Sequence, residues 1–175
     1  MCSVQDDIMK HMQVFISTLD ISSTLGVKFR GTDYRMRPVN HAKQLTADEF
    51  IDQIVMFLMG HTFIKTVFAA TESMDFVDKL KTNAFIMQHD IHVLSTPYKM
   101  FSDNEFHYKT LKDHSMYDVH MLNVDYLTDI FALTSLKFIL TCTATSNVVF
   151  DLLVDKSSLS YFKQFDIGRY HLNDA

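Results

Sequence analysis

Glycine, proline, cysteine and tryptophan are scarce or missing in this chain, and each shortage removes a class of protein. The four glycines, Gly26, Gly31, Gly60 and Gly168, are too scattered to build a glycine-rich loop. Phosphate loops need closely spaced glycines so that the backbone can approach the anion, which argues against a P-loop NTPase and a standard dinucleotide-binding fold. Only two prolines occur, and no Pro/Gly/Ser-rich stretch marks a linker, so residues 1–175 are expected to form a single globular domain. Cys2 and Cys142 offer neither a CxxC pair nor a disulfide framework, which fits a reducing, cytoplasmic setting. Asp6 and Asp7 interrupt the apolar run that a signal peptide would need. The longest apolar stretches, 54–70 and 130–154, are broken by His61 and Lys65 and by Lys137 and Asp151, so no membrane contact is expected.

Core material, by contrast, is plentiful: 47% of residues are hydrophobic, with 15 Phe and 11 Met. The segment with the most organised charge is 27–37, VKFRGTDYRMR. Period-two alternation points Val27 and Phe29 one way and Lys28 and Arg30 the other. A turn at Gly31-Thr32-Asp33 would return Tyr34 and Met36 to the apolar face, with Arg35 and Arg37 on the cationic one. This reads as a basic β-hairpin. Residues 26–43 carry five Lys/Arg (28, 30, 35, 37, 43) against Asp33 alone, or +4, which leaves −9 for the rest of a chain of net charge −5. Segregated charge of this kind can steer an anionic partner, although Lys/Arg on a strand also protect sheet edges.

Local signals outline the remaining elements. Ile8, Met12, Phe15, Ile16 and Leu19 share one helical face, with Ser3 and Asp6 resembling a capping box. Thr46 and Glu49 form a second such box, which predicts a helix over 46–59 ended by Gly60. Residues 63–70 read as a strand open to burial on both faces, 74–80 as a short helix capped by Ser73, and 84–94 as a strand, which implies one β-α-β crossover. Further strands are expected at 105–111 and 116–123, a helix at 125–133, a hairpin over 136–154, and a short helix after Ser157 or Ser158 that buries Leu159, Phe162 and Phe165. The expected class is α+β: a mixed or antiparallel sheet with β-hairpins and four to five packed helices.

Chemistry is harder to locate. Asp90 with His92, and Asp118 with His120, are two residues apart and would share a face in strands. Were those strands neighbours, the four side chains could ligate a divalent transition metal and activate a water. Glu72, just beyond the strand ending at Ala70, would add an acid at the carboxyl edge of a parallel sheet, where α/β sites lie. Cys142, within Thr141-Cys142-Thr143, reads as a small core residue. No GxSxG elbow occurs.

The sequence therefore favours a non-enzymatic binding module without a cofactor. Lys28, Arg30, Arg35, Arg37 and Lys43 would meet an anionic macromolecule, nucleic acid first and an acidic protein second. A metal-dependent phosphoester hydrolase using Asp90, His92, Asp118 and His120 is the first alternative. A protein-binding inhibitor or adaptor, able to self-associate and compatible with a viral or phage accessory protein, is the second.

Overall fold

All five strands of the sheet run parallel, in the order β3-β2-β1-β4-β5. The computed structural model describes residues 6–30, 42–97, 116–142 and 147–169. Its elements are α1 (Asp6–Ser17), β1 (Thr24–Lys28), α2 (Ala47–Gly60), β2 (Thr66–Ala70), α3 (Met74–Lys81), α4 (Ala84–Gln88), β3 (His92–Leu94), α5 (Met116–Ser135), β4 (Phe138–Cys142), α6 (Asn147–Leu153) and β5 (Tyr161–Phe165). A 3-10 turn, Lys156–Ser158, precedes β5. This is a doubly wound, Rossmann-like α/β architecture.

Local chemistry explains where elements start. The Thr46 hydroxyl accepts the Glu49 N–H at 3.2 Å, and the Thr46 N–H donates to Glu49 Oε2 at 2.8 Å, closing the box that opens α2. Gly60 stays within the helix, and His61 caps it by donating its N–H to the Leu58 carbonyl. Ser73 Oγ accepts the Phe76 N–H at 3.1 Å and opens α3.

Two apolar layers then hold the sheet. On one face Val27, Phe29, Val67, Ala69 and Leu140 pack against Phe50, Ile54 and Phe57 of α2 and Phe76 and Leu80 of α3. Phe29 stacks on Phe76 at 4.3 Å between centroids. On the other face Phe68, Ala70 and Ile139 meet Ala132 and Leu133 of α5 and Phe150 of α6, with Phe15 and Ile16 of α1 beside them. Gly26 permits the close approach of α5: a Cβ there would lie 2.8 Å from Leu133 Cδ2 and 2.9 Å from Leu136 Cδ1.

The mixed sheet with hairpins is thus corrected to an all-parallel one, for reasons visible in particular residues. β1 is bonded to β2 on one side and β4 on the other, so no antiparallel arm can pair with it, and the basic hairpin does not form on that strand. The expected turn and return arm fall within 31–41, outside the described residues. The 84–94 strand divides because the Asn83 side chain accepts the N–H groups of Phe85 and Ile86 and starts a helical turn. Asp90, at φ 51°, then turns the chain into the short β3.

The 116–123 strand is instead the start of the 20-residue α5. Val124, Asp125, Thr128, Asp129, Ala132, Leu133 and Leu136 are all buried, a helical period that continues past an apolar stretch resembling a strand. The 136–154 hairpin is β4 followed by α6, and the final short helix is β5. There Tyr161 and Phe165 pack on one face and Phe162 on the other. The 105–111 strand lies outside the described residues. The expectation that scattered glycines argue against a dinucleotide-type fold is corrected too: a glycine-rich loop serves phosphate approach, and the doubly wound architecture forms without one.

Candidate functional site

In a parallel sheet every strand points its carboxyl end the same way, and here the strand order reverses between β1 and β4. The crevice outside the carboxyl ends at such a reversal is where open α/β sheets bind ligands. β1 reaches that edge with its charged face turned toward α5. Leu25, Val27 and Phe29 enter the core on the α2 side, so Gly26, Lys28 and Arg30 alternate to the other side.

Lys28 is flanked in register by Ala70 of β2 and Thr141 of β4. Burial lowers its pKa from 10.5 to about 8, with Arg30 acting in the same direction. The carboxylates of Glu72, Asp129 and Asp151 pull the other way and do not overcome that burial. Arg30 follows, its Nε 3.5 Å from Glu72 Oε1, with both side chains largely buried. Glu72 sits in the turn after β2.

The third wall is α5. Toward its C-terminus the buried face is apolar, with Ala132, Leu133 and, just past the helix, Leu136. Where the helix approaches the strand ends that same face becomes polar: Asp125, Thr128 and Asp129 are buried. Thr96, just beyond β3, donates its hydroxyl to Asp129 Oδ1 at 2.9 Å. Asp125 is almost fully buried, with His11 Nε2 of α1 4.0 Å from its Oδ1. Tyr126 lies on the rim, 41% exposed. Burial raises its phenol pKa first; Glu72 and Asp129 add to that and Arg30 opposes it, which places its ring among the same charges.

The expected anion-binding residues therefore divide. Lys28 and Arg30 stand at the carboxyl edge. Lys43 lies on the return from β1 to α2, where its N–H donates to the Gly168 carbonyl at 2.7 Å, just past β5. Arg35 and Arg37 lie outside the described residues.

The four expected metal ligands are not gathered on neighbouring strands. Asp90 and His92 are exposed at the amino end of β3, the edge opposite Glu72. Residues 118 and 120 belong to α5, so the premise of a shared strand face does not hold. Among the described residues no group of three or more His, Cys, Asp or Glu could hold a metal ion. Cys142 is buried, and burial pushes its thiol up to about 12, which keeps it protonated and unreactive.

The sequence places Glu72 at a carboxyl edge but does not join it to Arg30, and it marks neither Thr96 nor Tyr126 as a site residue. The one local signal is for Asp129, which shares a helix face with Asp125 four residues before it.

No family model matches the sequence, and no curated protein shows significant similarity to it. Solved structures do share the fold. POFUT1 in complex with GDP-fucose superposes with a TM-score of 0.59 at 14% identity, covering 94% of this chain and 47% of that one. Its apo form gives 0.58 at 14% identity, over 93% of this chain and 47% of that one. POFUT1 in complex with GDP gives 0.57 at 15% identity, over 93% and 48%.

These findings correct the functional expectation. A nucleic-acid module, or a surface for an acidic protein, rested on an exposed basic hairpin. The structure turns Lys28 and Arg30 toward α5 in a doubly wound sheet, shared with chains solved with GDP-fucose or GDP. The alternatives of a metal-dependent phosphoesterase, an adaptor or a viral accessory protein find no support in that fold. Among the described residues no helix is long and apolar enough to cross a membrane. At this identity the likeness is one of fold, and the chain spans about half the length of the POFUT1 chains it matches.

Proposed function

We propose that the carboxyl edge of the sheet binds a nucleotide-sugar, and that this chain is the donor-binding unit of a glycosyltransferase-type protein. The observation that carries the reading is the placement of Lys28 and Arg30 beside the β1/β4 reversal, in a fold that POFUT1 also has with GDP-fucose bound. The diphosphate of a nucleotide-sugar carries two negative charges, which need cations in a setting of restricted solvation. Lys28, at the end of β1, and Arg30, two residues further on, meet that need. When a glycosyl C–O bond to the diphosphate breaks, negative charge grows on the leaving oxygen, and fixed cations stabilise that charge.

Calorimetric titration with GDP-fucose, GDP and other nucleotide-sugars tests the proposal. The wild type should bind at least one of them. Lys28→Ala and Arg30→Ala should each weaken binding roughly tenfold or more, the expected loss of one charge-assisted contact. Affinity should also decline as pH rises through about 8, where Lys28 loses its proton. A folded protein that binds no nucleotide or nucleotide-sugar at millimolar concentration would sink the reading.

A further inference from the structure

We infer that the cleft between the ends of α2 and α4 binds a small organic anion, a carboxylate on an apolar body. The site lies at the amino edge of the sheet, since residues 62–65 lead into β2 and residues 89–91 into β3. Lys28 stands at the opposite edge, so the inference does not rest on the nucleotide-sugar reading. The cleft has a volume of ≈ 290 Å³, close to the lower bound of about 300 Å³ for small-molecule sites. At ~30 Å³ per water it is worth about ten waters, the bulk of a medium-chain or single-ring acid and too little for a long lipid tail.

Its wall is apolar and already in place. Leu58 and Ile64 are buried, and the half-buried Phe85 and Ile91 complete the lining beside them. Phe85 is held by His89, whose ring stacks on it at 3.9 Å and whose Nδ1 lies 2.9 Å from the Phe85 carbonyl oxygen. Helix-end carbonyls nearby are taken up locally: that of Leu58 accepts the His61 N–H and that of Ile86 accepts the Ile91 N–H, each at 3.1 Å. Those backbone groups ask nothing of a ligand, and a preformed wall spares the cost of ordering it on binding.

Charge supplies the head group. The lining includes Lys65 and His89 but no Asp or Glu, in a chain of net charge −5. The backbone of Lys65 is fixed on both sides: its N–H donates to the Ser23 carbonyl, and its carbonyl accepts the His92 N–H, each at 2.9 Å. Its ammonium forms no ion pair among the described residues. Thr62, also in the lining, adds a hydroxyl donor. A carboxylate meets the lysine through a charge-assisted hydrogen bond while its apolar body leaves water for the wall.

The test titrates octanoate, with octanol as the uncharged control, into the whole chain carrying isotope-labelled methionine methyl groups. Met59, a lining residue 65% exposed, is the reporter, its resonance assigned with Met59→Leu. That resonance should shift with octanoate at millimolar concentration. Lys65→Met should weaken octanoate roughly tenfold, the loss of one charge-assisted contact, and leave octanol unchanged. Thr62→Trp, which sets a ring in the cleft, should abolish binding of both, and thermal melting checks that each variant folds. No shift in the wild type, or the same octanoate affinity in Lys65→Met, overturns the inference. A folded Thr62→Trp variant that still binds octanoate places the ligand elsewhere and overturns it as well.

Discussion

The two edges of the sheet are made of opposite materials. At the amino edge, rings close the molecule: Phe57 stacks on His61 at 3.9 Å and meets Tyr161 at 4.8 Å, while Phe63 meets Phe138 at 5.3 Å. His61 is held by its Nδ1 against the Phe57 carbonyl at 2.8 Å. Beside this cluster a cleft of ≈ 290 Å³ is lined mainly by Leu58, Met59, Ile64, Phe85 and Ile91. At the carboxyl edge five charged side chains and a tyrosine crowd together, and Lys28 stays there although burial works against its charge. One edge contributes apolar packing. The other keeps groups whose burial costs stability, the usual mark of a surface retained for binding.

The largest effect that could break this contrast comes from the amino edge. Phe57→Ala removes a buried ring from contact with His61, Phe138 and Tyr161 and should cost about 3–5 kcal/mol in urea unfolding. The fraction still folded should bind nucleotide-sugar with unchanged affinity. A loss of affinity would show that the two edges are coupled, and the contrast would fail.

Lys28→Met tests the other edge, and the sign is the reverse. With a folded pKa of about 8 against 10.5, the native state releases this proton before the unfolded state does. The penalty is fully present below pH 8 and is relieved as pH rises toward 10.5. At roughly 1.4 kcal/mol per pKa unit it amounts to up to about 3 kcal/mol at pH 7. The Met variant should therefore be more stable than wild type at pH 7, by as much as that, while losing ligand affinity. The gap should shrink as unfolding is repeated up to pH 10.5. A variant less stable than wild type at pH 7 would mean that the attraction of Lys28 to Glu72, Asp129 and Asp151 outweighs its desolvation.

A smaller change sharpens the picture of α5. Thr96→Val deletes the hydroxyl that donates to Asp129 and leaves a buried carboxylate short of one partner. The expected cost is about 1–3 kcal/mol, read as a lower urea midpoint with an unchanged slope. A neutral result would show that Asp129 keeps its place through its other contacts alone.

Much of the local structure was legible along the chain. Thr46 with Glu49, and Ser73 before Phe76, announced two helix starts, because a cap is a contact between residues three apart. Alternation through Val27, Lys28, Phe29 and Arg30 named the two faces of β1. Errors arose where short apolar runs fit either period, as at 116–123 and 147–154, or where one cap such as Asn83 split a run. Glu72 and Arg30 lie 42 positions apart, and Thr96 and Asp129 are separated by 33. No spacing rule joins residues at such distances.

By itself the sequence determined the composition of the core, the faces of β1 and the starts of α2 and α3, because these depend on neighbours within a few residues. Tertiary structure alone decided that β1 lies at the centre of a parallel sheet, with β2 and β4 on either side. It also decided that Lys28, Arg30, Glu72, Thr96, Tyr126 and Asp129 share one edge. The physical reason is that alternation tells a strand which face to bury but not which strand to pair with. That choice is settled only when helices on both faces close the core.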